Sequence, residues 1–272
     1  MSASSATWDP PQVQGTAGLR AHLQASRLAG DVATSPRHTI ANCAKLSRGD
    51  PDYTFGLPDM TGTPLLSALD AVRDLCGGDP GGAADLDGPG FIDVDATLEG
   101  IARHRRALAT VAAGAGRVLL ATGHPTGLLA HYMAIGRALQ AHGCTLLTPC
   151  DDLRVDRLPS GRLRAIRFTD GVAAEFDGAS LRHTHRAALM EVMLEDLDGQ
   201  QVDLVVADHG FAGAAIARGL ATISIADVND PALPLAQARG ATEDVLVIDD
   251  NLAPRCFAPV TAAMLDWASA GG

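Results

Sequence analysis

Asp203–Asp230 reads DLVVADHGFAGAAIARGLATISIADVND: two apolar runs, a small-residue helix between them, and acids at the end of each run. Near-continuous apolar runs fit strands buried on both faces, which requires a parallel sheet with helices on either side. DVLVID repeats the pattern downstream. Upstream, RVLLAT (117–122) precedes the turn GHPTG and the helix LLAHYMAIGRALQAHG, ended by Gly143, and CTLLTP supplies another strand. This alternation predicts an α/β fold, a three-layer Rossmann-like and mostly parallel sheet. From Asp151 to His185 the period shortens, with turn signals at Pro159-Ser160-Gly161, Asp170-Gly171 and Asp177-Gly178. A small β-meander over 151–185, inserted into the sheet or attached at its edge, follows from that change.

The length of 272 residues suits one α/β domain over 1–272, with 1–15 as a loose tail. Helices are expected at Gly18–Leu28, Pro64–Cys76 and 187–198, and a polar, turn-rich stretch at Ser35–Thr63. The Gly/Asp-rich GGDPGGAADLDGPG reads as a loop, followed by a helix capped by Asp95 or Thr97. Aromatics are only 4% of residues, so Ala, Val, Leu and Gly must fill the core. A net charge of −11 without clustered cations argues against nucleic acid. Lys45 is the sole lysine, and no P-loop, GxSxG elbow or GxGxxG is present. No CxxC pair suggests a structural zinc or a disulfide framework, and neither a signal peptide nor a membrane span is expected. These features predict a cytoplasmic protein, with a homo-oligomer left open.

In parallel α/β sheets, ligands bind beyond the carboxyl ends of the strands, where each following helix also points free N–H groups. Four such rims here are polar: Gly123–Gly127, Asp208-His209-Gly210, Asp227–Asp230 and Asp249-Asp250-Asn251. TGHPTG suits an anion cradle built from the backbone of Gly123 and Gly127 and the Thr126 hydroxyl, with Gly210 at the next rim; an ordinary βα turn is the plainer reading. Asp208 and Asp227 end successive strands. On neighbouring strands they would lie about 5 Å apart and repel unless a proton or a cation sits between them. Asp208, Asp227, Asn229 and Asp230 form an oxygen-rich set suited to Mg²⁺ or Mn²⁺ ahead of Zn²⁺. Helix capping and Asx-turn bonding would explain the same residues structurally.

His183 and His185 in LRHTHR share one face of a strand, either as a ligand or phosphoryl-binding pair or as two surface residues. His124, His183, His185, Asp208 and His209 are the candidate catalytic groups, a histidine protonating the leaving alkoxide. Asp250 and Asn251 are weaker candidates, and His38 is undecided. FIDVDATL offers an alternative, because Asp93 and Asp95 look like the DxDxT nucleophile motif of haloacid-dehalogenase-type phosphatases. Only Phe91-Ile92 precede it as a strand, however, and the downstream lysine that those enzymes use is missing.

Taken together, TGHPTGLL, LRHTH, ADHGFAGAAIARG, ADVNDPAL and IDDN resemble a little-characterised actinobacterial family of phosphatases, over most of the chain. The resemblance implies a phosphomonoesterase. Joined to the oxygen-rich rim, it gives metal-assisted hydrolysis of a small phosphorylated metabolite as the expected function. A non-catalytic sensor of an anionic metabolite is the alternative.

Overall fold

The computed structural model describes residues 15–157 and 163–269. Strands β1 (Gly30–Val32) and β2 (Gly90–Ile92) form a separate antiparallel pair. The main sheet contains β3 (Arg117–Ala121), β4 (Thr145–Leu146), β5 (Arg154–Arg157), β6 (Leu163–Thr169), β7 (Val172–Phe176), β8 (Leu181–Arg182), β9 (Leu204–Asp208), β10 (Thr222–Ala226) and β11 (Val245–Val247). Its order is β11-β10-β9-β3-β7-β6-β5, with β4 also on β3 and β8 on β7. The α/β expectation holds: β3, β4, β7, β9, β10 and β11 pair in parallel, and helices flank the sheet. Every residue of β9 and β10 is buried, as unbroken apolar runs demand.

Strands β4 and β7 share one edge of β3. Arg117 and Val118 pair with Thr145 and Leu146, and Leu120 and Ala121 then pair with Val172 and Ala173. CTLLTP therefore yields only a two-residue strand, because β7 takes over that edge. The 151–185 meander joins the sheet through β7, and its expected turn at 159–161 lies outside the described residues. From β3 the chain first moves to this side, then crosses to build β9, β10 and β11 on the other. The carboxyl ends of β3 and β9 thus flank a reversal of strand order, where open α/β sheets place their ligands.

Three expectations need correction. The Ser35–Thr63 stretch is largely helical. Ser35 caps the helix Pro36–Ser47 by accepting the His38 N–H, Pro36 fits its first turn, and Asp50 caps the short helix Pro51–Thr54. Asp93, not Asp95 or Thr97, caps the helix Val94–Ala113 by accepting the Asp95 N–H at 2.9 Å. Asp95 instead faces Arg20 at the surface. Because β2 pairs only with β1, Asp93 and Asp95 crown no central strand and lack the setting of a dehalogenase-type nucleophile. The first helix begins at Gly15, so the rest of the expected tail falls outside the described residues. Among the described residues, no helix is long and apolar enough to cross a membrane.

Candidate active site

A cavity of about 520 Å³ lies over the switch point. Its walls carry His124 from the end of β3, His183 and His185 from the segment after β8, His209 from the end of β9, Asp227, Asn229 and Asp230 after β10, and Asp250 after β11. Five strand ends thus deliver four histidines and three carboxylates to one space. The helices over Pro36–Ser47 and Pro51–Thr54 close the other side with His38, Asn42 and Tyr53.

Backbone contacts fix these loops to one another. Thr184 N–H donates to Gly123 C=O at 2.9 Å, so the segment after β8 crosses the end of β3 with His183 and His185 on either side. A side chain at Gly123 would collide with the Thr184 carbonyl, one at Gly127 with the Asp250 carbonyl, and one at Gly210 with the His185 carbonyl. Glycine at all three positions lets the histidine and aspartate loops approach one another. The expected anion cradle is therefore filled by protein. Gly123 N–H donates to Asp208 and His124 N–H to Thr122, while the exposed Thr126 does not line the cavity.

Asp208 also departs from the expected role. Ile225, not Asp227, lies opposite it in register, and its oxygens accept from the Thr122 hydroxyl at 2.6 Å and from Gly123 N–H. Among the described residues it joins none of the His/Asp groups whose ligand atoms converge. It stands fully buried behind the cavity, 3.8 Å from His209 Nδ1. Asp227, on the far side, accepts from Thr34, Asn229 and the Val228 N–H. The two acids do not form the paired site that strand-end logic predicted.

The histidines form the centre instead. Rings of His124 and His183 stack at 4.5 Å, and His185 and His209 lie 4.4 Å apart. His185 Nδ1 faces the Asp52 carbonyl at 2.8 Å, which fixes the proton on that nitrogen. Its Nε2 is left bare, 3.0 Å from His183 Nε2. His209 Nε2 lies 3.3 Å from Asp230 and 3.2 Å from Asp250. His124 Nδ1 is 3.3 Å from Asp250, close enough for ion pairing yet without hydrogen-bond geometry. Asp250 Oδ2, His124 Nδ1 and His209 Nδ1 are all buried without a hydrogen-bond partner. Three groups bring ligand atoms within 4.8 Å of one another: His124/His183/His209, His185/His209/Asp230 and Asp227/Asp249/Asp250.

Charge is balanced within the cluster. Burial works against a charged His209, but Asp230 and Asp250 raise its pKa well above the ordinary imidazole value. Burial would also raise Asp250, yet the His124 and His209 rings hold it below the usual carboxylate range. Burial, followed by Asp250, Asp249 and Asp230, pushes Asp227 well up. Burial and the three neighbouring rings lower His183 to about 4. His209 also holds a left-handed backbone, φ 45, a strained conformation for a non-glycine residue.

A model described as Phosphatase matches residues 14–271. The chain belongs to this family. It is 36% identical over 262 residues to Phosphatase SCO2771 of Streptomyces coelicolor, covering 94% of this chain and 97% of the relative. The expected membership of a phosphatase family is thereby borne out. Sequence reasoning under-weighted Asp250, although it ends a strand just as Asp227 does. It missed Thr34, just ahead of the stretch read as turns, and Asn42 and Tyr53 within it; none carries a strand-end signal.

Proposed function

We propose that the chain is a metal-assisted phosphatase acting on small phosphomonoesters, with its reaction centre at the histidine-lined cavity. The observation that carries this is the pair of ring nitrogens of His183 and His185, 3.0 Å apart, with the His185 proton committed to Asp52. His185 Nε2 therefore offers a lone pair that the His183 ring can meet with its own proton or, together with that ring, present to a cation; His209 and Asp230 converge with His185, and Asp250 lies 3.2 Å from His209 Nε2. His124, His183, His185 and His209, with Asp230 and Asp250, would hold the ion. This donor set is richer in nitrogen than the rim expected from sequence, and it suits Mn²⁺, Fe²⁺ or Zn²⁺ better than Mg²⁺.

A bound divalent ion supplies charge neutralisation for phosphoryl oxygens and a more acidic water. The protein does the rest. The Asp52 carbonyl orients His185, Asp208 supports the Gly123 turn and faces His209, and buried Asp230 and Asp250 neutralise the cation that would replace the His209 proton. Among the described residues no arginine or lysine lines the cavity, so an anionic substrate would depend on the ion for attraction.

The test is phosphate release from a phosphomonoester panel before and after dialysis against chelator, with Mn²⁺, Zn²⁺ and Mg²⁺ restored separately. Loss in chelator and recovery with Mn²⁺ or Zn²⁺ is expected. Unchanged turnover in chelator would remove the metal from the mechanism. Ligand-induced melting shifts without turnover would instead favour a sensor.

A further inference from the structure

Resting on that reading, we propose that Tyr53, held by Lys45, donates a hydrogen bond to the ester oxygen of the departing group, which suits the site to alkyl phosphomonoesters with poor leaving groups. Ring nitrogens that hold an ion cannot also hand a hydrogen to that oxygen, which leaves the helical wall, with His38, Asn42 and Tyr53, to supply a donor. The Thr34 hydroxyl is committed to Asp227, and the Asn42 amide to the Asn229 carbonyl at 3.0 Å.

Tyr53 differs. It lines the cavity on the helical side, its ring edge-on to His185 at 5.9 Å. Lys45 Nζ donates to its phenol oxygen at 2.8 Å and to Asn42 Oδ1 at 3.2 Å. The ammonium thus fills a phenol lone pair, and among the described residues no carboxylate or carbonyl accepts the phenol hydrogen. The sole lysine of the chain thus holds the hydroxyl of a residue that lines the cavity. With phosphoryl oxygens drawn to the cation that the histidines, Asp230 and Asp250 would hold, the ester oxygen would be left on the side of the helical wall.

As the P–O ester bond breaks, its electron pair moves to that oxygen and a new P–O bond forms from water. The protons of the attacking water are shared between phosphate and alcohol, so the phenol stays neutral and no other reactant is needed. A hydrogen bond backed by a cation strengthens as charge grows on the ester oxygen, which lowers the barrier more than it tightens binding. An aryl oxygen stabilises its own charge and needs this donor little.

The experiment compares kcat/KM for glycerol phosphate and p-nitrophenyl phosphate in wild type and Tyr53→Phe, with melting temperature as the folding check. Tyr53→Phe should lose about a hundredfold on glycerol phosphate and under about fivefold on the aryl ester, in line with single transition-state donors. Lys45→Met should reproduce the split through misplacement of Tyr53, and Lys45→Arg should restore most of the alkyl activity. Equal losses on both esters in an active, folded enzyme would overturn this inference alone. A wild type inert towards both would overturn the phosphatase reading and this inference with it.

Discussion

The two ends of the sheet contain cavities of opposite character. At the amino ends of the strands lies the larger, about 770 Å³, among small and apolar residues such as Gly116, Ala221 and Gly219. Its carboxylates are already satisfied or lie at the surface. Asp203 accepts the Arg117 N–H and the Gln201 amide, Asp244 faces Arg103, and Glu243 is exposed. The smaller cavity, at the carboxyl ends, holds buried nitrogens and a carboxylate oxygen without hydrogen-bond partners. Volume does not make a site. Converging polar groups left unsatisfied by the protein do, because their desolvation is tolerated only where something else completes them.

The largest expected effect breaks this comparison if it is false. His209→Ala should remove a ligand shared by two of the converging groups. It should lower kcat/KM by about a thousandfold or more, some 4 kcal/mol of barrier. Glu243→Gln in the larger cavity should stay within about twofold, as surface changes usually do. Comparable losses from the two would mean that the reaction centre has been placed at the wrong end.

The quiet end should reveal itself in stability rather than turnover. His104 is buried there and hydrogen-bonds the Asp244 carbonyl at 2.9 Å; burial lowers it from 6.5 to about 4. Between those values the unfolded chain binds a proton that the native state refuses, so stability falls as pH drops from 6.5 towards 4 and levels off below. The loss approaches about 3 kcal/mol at full effect. His131, lowered to about 3 mainly by burial, acts in the same sense. Urea midpoints at pH 7 and pH 5 should therefore differ less in His104→Gln than in wild type. An unchanged difference would mean that His104 is not held neutral.

Much of this was legible in the sequence. Unbroken apolar runs such as LVVA, short and bounded by turn residues, suit strands buried on both faces, and strand ends are where polar residues escape the core, so the rim of His124, His209, Asp227 and Asp250 followed from patterning. What was hidden depended on register and side-chain direction. A carboxylate at a strand terminus can turn towards a ligand or towards its neighbour's backbone, and Asp208 turned to Thr122 and Gly123. The glycines of TGHPTG suit an anion cradle and a tight loop crossing equally, and only the Thr184 carbonyl over Gly123 separates the two. Helix Pro36–Ser47 escaped notice because Thr39, Asn42 and Ser47 weaken its apolar stripe, although the Ser35-Pro36 start was readable.

Asp208 gives the finest test of the contrast between groups that hold and groups that support. Its oxygens accept from Thr122 and Gly123 while Oδ1 faces His209 Nδ1 at 3.8 Å, so its work is to set the loop of His124 and the ring of His209. Burial raises its pKa, opposed chiefly by His209, which places it in balance with that ring rather than with a cavity ion. Asp208→Asn keeps the volume but presents an amide to neighbours that are themselves donors. Supporting groups of this kind typically contribute about 10- to 100-fold in metal affinity or activity, and that is the expected loss, with the fold intact. Retained metal after dialysis and kcat/KM would be measured together. A loss matching His209→Ala, with the metal gone, would restore Asp208 to the ligand role expected from the end of β9 and narrow the set of histidines needed to explain the site.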